Sequence, residues 1–374
     1  MSLARDIADL GAVTSRLDTV GASSGALSNR NIIVNGGMTI AQRSTQSTNA
    51  GSGYITVDRF YHELKNSTDN LTFTTEQVTD APSGFSKSLK LTVTTAESAL
   101  AADEYGRMYY VVEGQDLQRI GYGTSACKEV TLSFYVKSSI TGNFSASIYL
   151  SASGGVIANQ AYTINSADTW ERKTLTFPTY TTANVPNTNA AGMYINFGLF
   201  AGSNYTTAAS TFVAHTGAHL LGGQAANWAA VNSTTWQLTG VQLEVGDTAT
   251  DFEHRTFGDE LRRCQRYFYA LLRRDMNEDQ QIGSYYSTTR AFINVPHKVS
   301  MRTARTISVV GSVGADIYSA AGYISTTTLA NSYPRIESTG LDFTPASSGT
   351  AGNAFHLDWT ITASTSYIEA NAEL

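Results

Sequence analysis

The chain has 374 residues, too many for one ordinary domain, and reads as two or three. A net charge of -6 and a pI near 5.5 imply no nucleic-acid partner. Only 15% of residues are charged, well under the roughly 25% of a typical soluble domain. Thr, Ser, Asn, Gly and Tyr fill the gap, a mixture that suits strands with hydroxyl-bearing outer faces and many turns.

Residues 2–20 read as a helix. Leu3, Ile7, Leu10, Thr14 and Leu17 step by 4, 3, 4 and 3, a heptad seam with one polar member. So short a helix is marginal alone. The seam makes sense for associating identical helices or for docking on a larger body; an ordinary amphipathic helix on its own domain is the alternative. Arg5, Asp6 and Asp9 interrupt the segment, so a signal peptide is not expected. No stretch approaches the ~20 apolar residues of a membrane span. Gly21-Ala22-Ser23-Ser24-Gly25 reads as a flexible joint. It matches G-x-S-x-G, but the nucleophile elbow needs a strand before it and a helix after it.

Residues 29–256 read as the main β body. Period-two alternation puts Leu89, Leu91 and Val93 on one face, and likewise Val130, Leu132, Phe134 and Val136. Phe144, Ala146 and Ile148 repeat it, as do Leu175 and Phe177. The runs around Met193–Leu199 and Trp236–Leu243 complete the set. Many such strands without long intervening helices predict a mainly β, antiparallel sandwich, best read as a jelly roll. A linking helix is expected within 257–276, with Leu261, Cys264, Phe268, Leu271 and Leu272 on one stripe. Residues 277–374 read as a smaller C-terminal β domain, with strands near 290–295, 306–310 and 354–361.

Chemistry-bearing constellations are sparse. Cys127 and Cys264 form no disulfide framework or CxxC pair and read as isolated thiols. His215 and His219 have zinc-like spacing, but Gly217 between them argues for a loop. No metal site is expected. Asp103, Glu104, Glu113, Asp116, Glu244, Asp251 and Glu253 are carboxylates of a kind a glycosidase uses in opposed pairs. Sequence spacing across a β fold does not show such opposition, and acidic residues are common on sandwich loops, so no catalytic residue and no enzyme is expected. Tyr54, Tyr122, Tyr205 and Trp228 lie in turn-like segments, where exposed rings stack on the apolar faces of sugars; packing inside the sandwich is the alternative for each.

Several runs together resemble a family of bacteriophage virion proteins of the tail-fibre or fibre-like kind. They are Asn29-Arg30-Asn31-Ile32-Ile33-Val34-Asn35-Gly36-Gly37-Met38, Ala41-Gln42-Arg43, Val57-Asp58-Arg59-Phe60 and Val112-Glu113-Gly114-Gln115-Asp116-Leu117. Leu132-Ser133-Phe134-Tyr135-Val136-Lys137-Ser138, Asp168-Thr169-Trp170-Glu171, Trp236-Gln237-Leu238-Thr239-Gly240-Val241-Gln242-Leu243-Glu244-Val245-Gly246 and Asp251-Phe252-Glu253-His254-Arg255 continue the series. The resemblance covers about residues 29–270. The body is also similar to jelly-roll carbohydrate-binding modules, which open on a similar Asn-Gly-Gly segment. Those modules often hold a structural calcium, but Thr39 and Thr239-Gly240 depart from the acidic pattern, so no cofactor is expected.

The resemblance implies a homotrimer, which agrees with the Leu3, Ile7, Leu10 and Leu17 seam, and attachment to other virion proteins through the N-terminal region. It also implies location on a virion, after synthesis in the host cytoplasm. A display-type composition without an export signal fits release by lysis. The expected role is a tail fibre or appendage contacting host cell-surface polysaccharide. A head fibre or capsid decoration protein of purely structural role is the alternative, and a glycan-cleaving spike the third reading.

Overall fold

A computed structural model describes residues 29–48, 50–65, 71–151, 154–273, 281–304, 306–310, 313–319, 322–345, 349–361 and 367–374. The seam of Leu3, Ile7, Leu10 and Leu17 lies outside the described residues, as does the Gly21 to Gly25 joint. The chain divides into two compact units between Phe257 and Gly258.

The first unit is a two-layer jelly-roll sandwich. Its strands are β1 (Gln46–Ser47), β2 (Gly53–Tyr54), β3 (Phe60–Lys65), β4 (Thr72–Val78), β5 (Ser88–Thr95), β6 (Tyr105–Glu113) and β7 (Val130–Ser138). After these come β8 (Gly142–Leu150), β9 (Val156–Ile164), β10 (Glu171–Phe177), β11 (Ala191–Ala201), β12 (Val213–Ala214) and β13 (Thr235–Val245). One sheet runs β1-β4-β5-β13-β7-β10 and the other β12-β9-β8-β11-β6-β3-β2, with antiparallel pairing throughout. Alternation along each strand sends one side chain in two to the space between the sheets. Leu89, Leu91, Phe134, Ile148, Phe197, Trp236 and Leu238 meet there, all buried.

The opening and closing runs of the body are structural locks. The buried Asn31 side chain donates to Val241 O at 3.1 Å and accepts from Ile33 N at 2.9 Å and Leu243 N at 3.1 Å. Glu253 accepts from Asn31 N at 2.9 Å, and Arg255 donates to Ile33 O at 2.9 Å. Gly36 is required because a Cβ there would lie 2.1 Å from Val241 O. Gly240 sits at φ +63° beside a register shift in the β13–β7 pairing, a conformation that favours glycine.

The second unit opens on α1 (Phe257–Gln265), shorter than the helix expected across 257–276. Acidic Asp259 and Glu260 start α1 and Arg262 and Arg263 end it, as the helix dipole favours. The chain then becomes β14 (Phe268–Arg273), paired antiparallel with β22 (Tyr367–Asn371). The correction has a physical cause. The run Tyr267-Phe268-Tyr269-Ala270 is aromatic-rich and suits a pleated surface, and its pairing with β22 buries Phe268 and Ala270. The Phe268–Leu272 stripe therefore belongs to a strand.

β17 (Thr306–Val310) joins β22 from the other side. A closed barrel is formed by β15 (Gln281–Ser287), β16 (Arg290–Pro296), β20 (Ser338–Pro345), β19 (Gly322–Pro334), β18 (Val313–Ser319) and β21 (Ala354–Ile361), in that order around it. Closure removes the exposed sheet edges that invite association. Tyr285, Ala291, Ile293, Val295, Leu341 and Phe343 fill its interior. Among the described residues, no helix is long and apolar enough to cross a membrane.

His62 on β3 points into the sandwich, beside the Phe73 ring and 3.3 Å from Thr75 Oγ1. Burial lowers its pKa to about 4. The unfolded chain takes up this proton below about pH 6.5, the folded chain only near pH 4. Stability is therefore full above the unfolded value and falls as the pH drops toward 4, by roughly 3 kcal/mol from this group. Urea unfolding of wild type and His62→Gln at pH 7 and pH 4 is expected to show the wild type losing more by about that amount; parallel losses would contradict the assignment.

Candidate functional site

The outer face of the seven-stranded sheet carries an aromatic and charged cleft. Inward positions of β3 and β6 hold Phe60, His62, Met108 and Tyr110, so the alternate positions face away from the core. β3 contributes Tyr61, Glu63 and Lys65, and β6 contributes Tyr105, Arg107 and Tyr109. β11 adds Tyr194 and Asn196, and β8 adds Ser147 and Tyr149. Register aligns them across the strands: Tyr61 faces Tyr109, Glu63 faces Arg107, and Tyr194 faces Tyr149.

The tyrosines form a continuous band. Tyr61 and Tyr109 stack at 4.7 Å, Tyr109 meets Tyr194 at 5.5 Å, and Tyr194 meets Tyr149 at 5.6 Å. The His215 ring, from the segment after β12, ends the band 4.4 Å from Tyr149. Above one end of this face lies the loop that follows β11. Tyr205 of that loop packs edge-on against Tyr105 at 4.8 Å. The loop is seated by polar contacts: Ser147 Oγ donates to Leu220 O at 2.9 Å, and Asn159 Nδ2 donates to His219 O at 2.9 Å. Gly198 leaves the room for Gln224, whose Oε1 would lie 2.5 Å from a Cβ there. The open cleft has a volume of about 410 Å³.

One buried-edge ion pair organises the floor. Arg107 Nε donates to Glu63 Oε2 at 2.7 Å and its Nη1 to Asn196 Oδ1 at 2.6 Å. Tyr105 Oη donates to the other Glu63 oxygen at 2.9 Å. The guanidinium also lies over the Tyr109 ring, 4.8 Å from its centre. Lys65 Nζ donates to Tyr205 Oη at 3.0 Å, and this bond raises the lysine's pKa. Burial first, and nearby Glu63, hold the Tyr105 and Tyr109 phenols above their ordinary range, so both remain protonated donors at neutral pH. Burial, then the charges of Arg107 and His219, lower the His215 pKa, so its ring is neutral at pH 7. The cleft thus offers flat apolar rings, phenol donors, one carboxylate and two cations, a set suited to a polyhydroxylated ring.

Of the four rings singled out from sequence for sugar stacking, the structure brings one into this cleft, where it joins His215. Tyr205 lines it, with its ring mostly buried against Tyr105. Tyr54 sits on β2, half-buried, edge-on to Tyr61 at 5.0 Å, beyond the end of the band. Tyr122 is only 4% exposed and belongs to the core, and Trp228 is fully buried, edge-on to Phe73 at 5.8 Å. The expectation that these two rings are exposed on loops is corrected. The segments that carry them pack back onto the sandwich, and a large ring there fills the core. Tyr61, Tyr109, Tyr149 and Tyr194 were missed because they lie within strands. Their signal was the alternation itself: Tyr105, Arg107 and Tyr109 occupy outward positions that elsewhere hold Thr or Ser.

Three of the suspected catalytic carboxylates bond locally, outside the cleft lining. Glu113 Oε2 accepts from Gln115 Nε2 at 2.8 Å, Glu104 Oε2 from Ala101 N at 2.9 Å, and Glu244 Oε1 from Thr250 N at 2.8 Å. His219 Nδ1 lies 3.0 Å from Thr207 O. Among the described residues no three His, Cys, Asp or Glu side chains gather as a metal site. Where calcium would sit between the opening and closing runs, Glu253 already accepts backbone N–H bonds and pairs with Arg255 at 3.2 Å. An arginine in that position does not fit a divalent cation.

No family model matches the chain, and no curated protein does. Solved structures overlay on part of it. It is similar to the enzymatically active domain of tailspike protein 4 from bacteriophage CBA120, at 16% identity over 58% of this chain, with a TM-score of 0.29. That overlay spans 21% of the tailspike chain. It is also similar to a family 11 carbohydrate-binding module from Clostridium thermocellum, at 12% identity over 56% of this chain and 98% of that one, TM-score 0.28. A xylan-binding domain from Paenibacillus barcinonensis overlays at 10% identity over 55% of this chain and 94% of that one, TM-score 0.25.

The corrected placement of Trp228 has a measurable consequence. Trp228→Ala is expected to destabilise the first unit by about 3–5 kcal/mol, seen as a lower urea midpoint. Tyr194→Ala, on the open face, is expected to cost about 1 kcal/mol or less. Equal losses from the two would contradict this division between packing and surface.

Proposed function

We propose that this protein is a glycan-binding component of a bacteriophage virion, a tail fibre or appendage that contacts host surface polysaccharide. The observation that carries the reading is the tyrosine band with its Glu63–Arg107 floor on the open face of the seven-stranded sheet. The band presents aromatic surface to the C–H face of a pyranose, and the Tyr109 and Tyr194 phenols and Arg107 line the same cleft as donors for hydroxyls. The band is several rings long, so it suits a chain of sugars. The runs that resemble phage fibre proteins support a virion setting and a homotrimer. Three copies of a weak site on one fibre gain affinity through avidity, so no single contact need be strong.

The site binds without cleaving. Glu63 is the one carboxylate among the described residues lining the cleft, and its two oxygens already accept from Arg107 and Tyr105. Glycoside hydrolysis needs a second carboxyl across the scissile bond, with one of the pair able to hold or give a proton.

Affinity electrophoresis or calorimetry against purified envelope polysaccharides tests the proposal. Tyr109→Ala and Tyr194→Ala are each expected to weaken binding about tenfold, equivalent to roughly 1.4 kcal/mol, at unchanged fold. Undiminished binding by the double variant would remove the cleft as the site. Incubation with a bound polysaccharide is expected to release no new reducing ends; release that disappears in Glu63→Gln would establish hydrolysis instead.

A further inference from the structure

The outer surface of the C-terminal barrel holds a second cavity of about 320 Å³, lined by Tyr286, Arg290, Phe292, Tyr333 and Asp342. These residues share a face because Ala291, Ile293, Leu341 and Phe343 take the alternate positions and fill the barrel. Register places Phe292 opposite Asp342 on β20, and Tyr333 of β19 opposite Gly340. Gly340 allows the arrangement, since a Cβ there would lie 2.7 Å from the Phe292 ring. Phe292 and Tyr333 stand 6.1 Å apart, inclined at 55°, so they form two walls of a cleft.

The floor is charged and buried. The Asp342 side chain is only 4% exposed and pairs through Oδ2 with Arg290. Its Oδ1 is buried with no hydrogen-bond partner among the described residues. A buried carboxylate oxygen left without a donor is costly, so a ligand donor at that point is favoured. Arg290 also reaches Tyr333 Oη at 3.4 Å and lies 5.7 Å from the centre of the Tyr286 ring. The rims are apolar and open: Tyr286 is 75% exposed and Tyr333 46% exposed.

We infer that this cavity is a second binding site, separate from the sheet face, for a neutral pyranoside. Aromatic walls with a carboxylate also describe a cage for an organic cation. Here Arg290 decides between the two. Its charge already neutralises Asp342 and already occupies the face of Tyr286, so an incoming cation meets a like charge. A sugar ring has what the site lacks: hydroxyl donors for Asp342 Oδ1, oxygens that accept from Arg290, and an apolar C–H face for Phe292 and Tyr333. The cavity volume matches one or two sugar rings at most, in contrast to the longer band of the first unit.

Saturation-transfer NMR on the full chain tests this, with the methyl glycosides of glucose, galactose and N-acetylglucosamine and with tetramethylammonium as probes. The background is Tyr109→Ala/Tyr194→Ala, in which the sheet face is disabled. At least one glycoside is expected to retain saturation transfer in this background. Adding Tyr286→Ala and Tyr333→Ala, both exposed and therefore tolerated by the fold, is expected to reduce its affinity about fivefold or more. Circular dichroism confirms that the barrel is intact. Loss of all glycoside signal in the sheet-face variant, or a signal that survives removal of Tyr286 and Tyr333, overturns the barrel site while leaving the sheet face to its own test. Saturation transfer to tetramethylammonium in place of the glycosides overturns the neutral-ligand assignment.

Discussion

The sandwich depends on one buried asparagine. Asn31 ties the first described segment of the chain to β13, the strand that closes the fold, by bonding Val241 and Leu243 across more than 200 residues of sequence. The same point is a bulge, where β13 shifts register against β7 and the backbone turns through Gly240. A bulge leaves backbone groups without ladder partners. Asn31, the carbonyl of Gly36 and the amide of Ile32 supply them. Glu253 and Arg255 then clasp the Asn31 segment from outside. Satisfying every one of these buried groups together is what makes the closure specific.

Locking the inner layers leaves the outer face of the seven-stranded sheet free to carry chemistry. With the six-stranded sheet covering its inner side, inward positions are restricted to close-packed apolar groups such as Met108, Ile148 and Phe197. Outward positions clear of the covering loop carry less packing demand, yet they hold Tyr61, Tyr109, Tyr149 and Tyr194. The rings are kept upright by one another and by Arg107, which is itself fixed by Glu63 and Asn196. Such a site is formed before a ligand arrives, so little order is lost on binding. The barrel surface follows the same logic on a smaller scale, with Gly340 making space for an outward Phe292.

Much of this was legible in the sequence. Alternation in 89–93, 130–136 and 236–243 gives the strands directly, because one face of each is buried and the other is not. Strand β9 carries a weaker alternation, since its outward Ile157 is covered by the loop that follows β11 and so is apolar as well. The helix near 260 was legible only to Gln265, because pairing with β22, far away in sequence, decides what Phe268 and Ala270 become. The candidate site was legible in residue type but not in place. Tyr122 and Trp228 sit in segments that look like exposed turns, and only the folded chain shows that those segments cap the core. Tyr109 and Tyr194 come from strands 80 or more residues apart, a neighbourhood that no local pattern encodes.

The central claim is that the tyrosine band of the first unit is where glycan is held. Amide hydrogen exchange with and without saturating oligosaccharide from a bound envelope polysaccharide tests it most directly. The account predicts added protection in 61–65, 105–109 and 194–196 and in the covering segment 205–220. Protection confined to the six-stranded sheet, or the absence of any change along the seven-stranded one, would contradict it.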